Sequence, residues 1–199
     1  MHRFIAVGLV LGVALIGVLP AIAETEEGIK VHGHWKIEVL EPDGTTVRVT
    51  EFDNALVVPD GQGFLALALG GMTVGGYRII LENGSGAGPC DDGSGGASEC
   101  RLTESGSNWM AMGAAHSTNL MTDVSSGVLT IGSSVTADYS DAVAEVSLQS
   151  KLCVGTSPDV CVGAVASMPV LNFTRTTLPS PVAVDAGQII QVTVTISFS

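Results

Sequence analysis

The chain has 199 residues, with 8 Lys+Arg against 20 Asp+Glu, a length that suits one domain or two small ones. Its formal net charge of −12 argues against nucleic acid or anionic lipid as the main partner, because both are held by basic patches. Only 5% of residues are aromatic against 46% hydrophobic, so the core must be built of Val, Leu, Ile and Ala rather than rings.

Residues 1–23 have the three parts of a secretory signal. His2 and Arg3 start it, Ile5–Leu19 is uncharged, and Ala21-Ile22-Ala23 supplies small residues for cleavage. That run falls short of the roughly 20 apolar residues that cross a hydrocarbon core, so processing is expected rather than an uncleaved anchor. Cleavage after Ala23 leaves residues 24–199 as a single β-sandwich domain of net charge −13. No Cys follows the cleavage position, so a simple lipoprotein lacks its acylation site. The mature chain is expected without a transmembrane anchor, secreted to the extracellular space or cell surface, with the periplasm as the alternative compartment.

Ile29–Leu40 alternates with a period of two. Val31, Gly33, Trp35, Ile37 and Val39 share one parity, and His32, His34, Lys36 and Glu38 the other, as in a half-buried strand. Glu41-Pro42-Asp43-Gly44 is a turn, since Pro presets φ and Gly accepts positive φ, and Thr46–Phe52 returns as its partner. Phe64–Leu69 reads as a short helix over one end of a sheet, or as a buried strand. Gly76–Glu82 is a strand with Tyr77, Ile79 and Leu81 on one side, and Ile80 is open to burial on the other.

Asn83–Asn108 is dominated by Gly, Ser, Asp and Glu, and a long surface excursion is expected. Gly127–Ala137, Ala142–Cys153, Val182–Val184 and Ile189–Phe198 are rich in Val, Ile, Thr and Ser and read as strands. In the last of them Ile190, Val192, Val194, Ile196 and Phe198 line one face. The fold class is therefore all-β, an antiparallel β-sandwich or jelly roll with a long Gly-rich loop closed by a disulfide. A transmembrane barrel is the rival, but few aromatics are present for its girdles.

The four cysteines, Cys90, Cys100, Cys153 and Cys161, all follow the signal, and an even number in an exported chain implies disulfides. Three pairings are open. Local closure, Cys90–Cys100 with Cys153–Cys161, is the simplest; zinc usually takes closer pairs, and no C-x-x-C supports redox catalysis.

Candidate sites for chemistry are few. His32 and His34 share a strand face and would ligate copper or zinc only with a third ligand; two solvent-facing histidines are expected instead. His116 has no spacing that links it to them. Asp91-Asp92-Gly93-Ser94 with Glu99 offers hard oxygens of the kind calcium takes, yet does not match an EF-hand loop. A solvated acidic tip is expected, with no cofactor, and Glu24, Glu26 and Glu27 read as a charged start. No G-x-S-x-G, H-E-x-x-H or Walker loop occurs, so the protein is read as not an enzyme. Trp35 falls on the core parity, and Trp109 is the better candidate for exposure in a sugar platform.

The segments HWKIEVLEPDGTTVRVTEFDNALV, GVLTIGSSVTADYS and FTRTTLPSPVAVDAGQIIQVTVTISFS, with the Cys-bearing loops, resemble β-rich structural proteins of phage-like or secreted bacterial assemblies. The resemblance implies a surface or particle component, and the signal directs it outside the cell. The expected function is a secreted structural subunit of an extracellular filament, appendage or surface assembly. It would associate with copies of itself or another exported subunit through strand edges or terminal strands. A soluble carbohydrate-binding module is the alternative.

Overall fold

A computed structural model describes residues 30–91, 97–98, 100–103, 120–155, 161 and 170–199. The expected leader, Glu24, Glu26, Glu27, Asp92, Glu99, Trp109 and His116 lie outside the described residues. Within them the chain forms β1 (Val31–Leu40), β2 (Thr46–Asn54), α1 (Asp60–Leu69), β3 (Thr73–Glu82), β4 (Cys90–Asp91), β5 (Ala97–Ser98) and β6 (Cys100–Thr103). It continues through β7 (Met121–Ser125), β8 (Val128–Thr136), β9 (Asp141–Cys153), β10 (Val170–Val184) and β11 (Ile189–Phe198).

Two antiparallel sheets pack face to face. The first is ordered β2-β1-β11-β8-β7 and the second β10-β9-β3-β6. The β1–β2 hairpin forms because Gly44, at φ 87°, closes the turn and donates its N–H to the Glu41 carbonyl at 2.9 Å. Asp43 Oδ1 accepts the Thr45 N–H at 2.9 Å, which fixes the return.

The core is the inward parity of both sheets. Trp35, Ile37, Val39, Ile131, Val192, Val194 and Ile196 come from the first, and Ile79, Leu81, Leu102, Val146, Leu148 and Leu152 from the second, all of them fully buried. Full burial of such side chains contributes roughly 1.5–3 kcal/mol each, and this drives the two layers together. Trp35 stacks on Phe52 at 6.1 Å, the core position its parity predicts.

α1 carries the chain from the first sheet to the second. It settles Phe64–Leu69 as helix, started four residues earlier at Asp60, and Phe64 meets Phe173 of β10 edge-on at 5.0 Å. Ile80 is buried as well as Ile79 and Leu81, so this part of β3 is enclosed on both faces.

Three expectations need correction. The excursion 83–108 is not all surface: β6 pairs with β3, and Cys90, Cys100 and Leu102 are fully buried. Strand β7 was not anticipated. β10 spans Val170–Val184 rather than Val182–Val184 alone, with register shifts between Asn172 and Thr174 and between Thr177 and Val182. The second shift holds Pro179 and Pro181, which cannot donate to a ladder and are confined to such irregular edges.

Candidate functional site

The terminal strand finishes its own sheet. β11 lies between β1 and β8 and pairs with both, from Val31–Phe198 to Leu40–Ile189 on one side and from Ile189–Thr136 to Ser197–Val128 on the other. Ile190, Val192, Val194 and Ile196 point into the core, and Phe198 is 47% exposed at the end. β1 is equally enclosed, between β11 and β2. Among the described residues the edge strands are therefore β2 and β7 in the first sheet, and β10 and β6 in the second.

These edges differ in how they are protected. β10 carries two prolines and two register shifts. β2 carries Arg48, Glu51 and Asp53, and the Arg48 guanidinium donates to the Ala183 carbonyl of β10, tying the two sheets together on that side. β6 has four residues, including Arg101. β7 has neither Pro nor Lys, and Asp123 is its single charge. Edges of that kind are open to added strands.

The topology explains why β7 is bare. Five strands lie over four, and β6 sits against β8, so β7 overhangs. Thr122 and Val124 have the inward parity, opposite Ile131 and Leu129, yet every residue of β7 is exposed and Val124 reaches 73%. On the outer parity Met121 is also 73% exposed. It borders a groove of about 470 Å³, floored by Gly132 and flanked by Asp123, Thr130, Ser134, Gln191 and Thr193.

The outer face of the second sheet is an ordered polar lattice. Arg78 Nε donates to Gln149 Oε1 at 2.6 Å, and Gln149 Nε2 donates to Asn172 Oδ1 at 2.8 Å. One step along, Arg175 donates to Glu145 and, at 3.3 Å, to Glu82. The Glu145 hydrogen bond holds the Arg175 guanidinium above its ordinary pKa. Arg175 is 51% exposed while Glu82 and Glu145 are 15% and 14%, so the guanidinium covers its carboxylates.

The cysteines form two local disulfides, Cys90–Cys100 and Cys153–Cys161, with Cα separations of 5.2 and 5.6 Å. The first ties β4, which pairs with β5, to β6. The second lays Cys161 against Gly75, where a side chain on the strand would collide with it.

His32 and His34 are exposed on the outer face of β1. His32 Nε2 is 3.3 Å from Ser199 Oγ; His34 Nδ1 is 2.9 Å from Asp53 Oδ1, and its Nε2 is 4.0 Å from Glu51. Among the described residues no three His, Cys, Asp or Glu side chains are grouped to hold a metal. Of the acidic tip, only the backbone of Asp91 in β4 is described. Sequence reasoning missed both β7 and the Arg78–Arg175 lattice, because neither carries a motif.

Fold and site together define an all-β sandwich, closed by two disulfides and presenting, among the described residues, one unprotected edge. No helix among the described residues is long and apolar enough to cross a membrane. No protein-family model, curated protein or solved structure matches the chain.

Proposed function

We propose that this protein is an exported, non-enzymatic structural subunit of an extracellular filament, appendage or surface assembly, and that copies of it associate through sheet edges. The observation that carries this reading is the overhang of β7. Its five residues are exposed on both faces and lack the prolines, lysines and bulges with which monomeric sheets protect their edges. A second copy adding a strand there gains backbone hydrogen bonds and covers Met121 and Val124. The leader-like residues 1–23 and the two disulfides support an oxidising compartment outside the cytoplasm.

Cryo-electron microscopy of the native secreted material tests the reading. Ordered filaments or sheets whose density traces this chain are expected. A monodisperse monomer at native salt, calcium and protein concentration overturns the proposal, and glycan binding by that monomer would establish the carbohydrate-binding alternative. Val124→Lys should abolish assembly while leaving the near-ultraviolet circular dichroism of the subunit unchanged, because the side chain it replaces is 73% exposed.

A further inference from the structure

Two asparagines stand in the N-x-S/T pattern that N-linked glycosylation requires, in Asn83-Gly84-Ser85 and Asn172-Phe173-Thr174. A pattern this short arises readily by chance, so the fold decides whether either is readable. A transferring enzyme must reach both the asparagine amide and the hydroxyl two residues further on. In β10, Asn172 Oδ1 accepts from Gln149 Nε2 at 2.8 Å, but Thr174 is only 1% exposed and its Oγ1 is buried. In the folded chain that hydroxyl is out of reach.

Asn83 is placed differently. It follows β3 in a tight loop closed by its own N–H, which donates to the Ala87 carbonyl at 2.6 Å. Gly84 and Gly86 make the turn at φ of 86° and 84°. Gly84, Ser85 and Gly86 are exposed, and Asn83 is half-buried at their base. Its Oδ1 accepts the Ser85 N–H at 3.0 Å and the Ser85 hydroxyl at 2.6 Å, while Nδ2 donates to Asp141 Oδ2 at 3.1 Å. These bonds need the carbonyl oxygen and one N–H of an amide that has two. An N-linked asparagine keeps both groups, so the network survives replacement of the other hydrogen by a sugar.

We propose that the folded subunit accepts an N-linked glycan on Asn83 and that Asn172 stays bare. In the transfer, Asn83 Nδ2 attacks C1 of the first sugar of a polyprenyl-pyrophosphate-linked donor. The Nδ2–C1 bond forms and the C1–O bond breaks; the pyrophosphate leaves with the electron pair, and Nδ2 gives up one proton. The inference rests on the export part of the proposed function, because N-linked acceptors of this kind belong to secreted chains. It also suits an assembling subunit. Asp141 pairs with Val184 and the Asp138 N–H donates to the Pro89 carbonyl at 2.7 Å, which sets the loop at the end of the sandwich where Leu40, Ile189 and Thr136 lie. β7 runs beside Val128–Gly132, towards the opposite end, so a glycan on Asn83 leaves that edge uncovered.

Mass spectrometry of the protein from its native source tests the assignment. The intact mass reads removal of residues 1–23, and after reduction the tryptic peptides 79–101 and 152–175 separate the two asparagines. Sugar increments are expected on the first peptide, localised to Asn83 by electron-transfer fragmentation, with none on the second. Asn83→Gln and Ser85→Ala should each remove the glycan, whereas Ser85→Thr keeps the hydroxyl and should retain it. Ser85 is exposed, so its two variants guard against misfolding in Asn83→Gln. Bare Asn83 on a chain that has lost residues 1–23 overturns the inference and leaves export standing. Bare Asn83 on a chain that retains them overturns both. A glycan on Asn172, or one that persists on Ser85 in Asn83→Gln, also overturns the inference, because the folded loop would then not select the acceptor.

Discussion

Replacing Gly61 and Gly63 by Ala, two positions apart in α1, should change stability in opposite directions. In a helix interior Ala is better than Gly by about 0.8–1.0 kcal/mol, and propensity alone predicts two stabilised variants. At Gly63 an added Cβ meets nothing within 4 Å, so that gain should be realised. At Gly61 the same atom lies 2.5 Å from the Phe173 carbonyl oxygen and 3.2 Å from Leu56 Cβ. The oxygen belongs to the backbone of β10, where it also accepts the Val57 N–H at 3.2 Å, so it cannot swing aside. Overpacking costs about 1–3 kcal/mol, and a 2.5 Å approach to a fixed backbone oxygen belongs in the upper part of that range, about 2–3 kcal/mol, which leaves a net loss of about 1–2 kcal/mol after the propensity gain. At about 2–4 °C per kcal/mol for a domain of this size, Gly61→Ala should melt about 2–8 °C lower and Gly63→Ala about 2–4 °C higher. Thermal unfolding of the mature, non-reduced protein reads both values. A Gly61→Ala variant as stable as Gly63→Ala would refute the close packing of α1 on β10.

Leu102→Ala should cost about 2–5 kcal/mol in urea denaturation, as for any fully buried leucine; a change within about 0.5 kcal/mol would return β6 to a surface loop. If the chain is exported as proposed, intact-mass analysis of the native protein should show loss of residues 1–23 and of four thiol hydrogens, and four alkylatable thiols before reduction would contradict both disulfides. Replacing Cys153 and Cys161 together by Ser should lower stability by about 2–3 kcal/mol through the freed loop. The Thr45 backbone N–H holds the Asp43 carboxyl below its ordinary 3.8. Its contribution to the hairpin is therefore present above that value and is lost as pH falls through the lowered one. A carboxyl titration of Asp43 by NMR at or above 3.8 would remove the predicted turn contact, and Asp43→Asn should abolish this part of the acid response.

What was legible in the sequence was what period two and turn chemistry encode. Ile189–Phe198 has the bounds of β11, and the parity of Val31–Val39 places Trp35 in the core. Of the three pairings that the cysteine spacing left open, the simplest, local closure, is the one the structure has. β6 was illegible because Cys-Arg-Leu-Thr offers two apolar positions, too few to establish a period. β7 was illegible for a different reason: a strand that overhangs has no core to pattern its residues. The lattice on the second sheet depends on register, since Arg78 and Gln149 are 71 positions apart. Sequence lists charges, but only the sheet order decides which of them share a face.

Sheet order also decides between adding a strand and exchanging one. Withdrawing β11 to complete a neighbour would expose Ile190, Val192, Val194 and Ile196, all fully buried, and break its ladders with β1 and β8. At about 1.5–3 kcal/mol for each side chain, burial alone opposes this by roughly 6–12 kcal/mol. That is comparable to the total stability of an ordinary domain, about 5–15 kcal/mol, so release of β11 amounts to unfolding. Pairing at β7 sacrifices no contact seen among the described residues, where its outer edge has no partner and all five of its residues are exposed. Assembly should therefore proceed between folded subunits, and dilution should reverse it without a refolding phase. Hydrogen exchange offers the check: amides of β7 should become protected in the assembly while those of β11 remain as protected as in the free subunit.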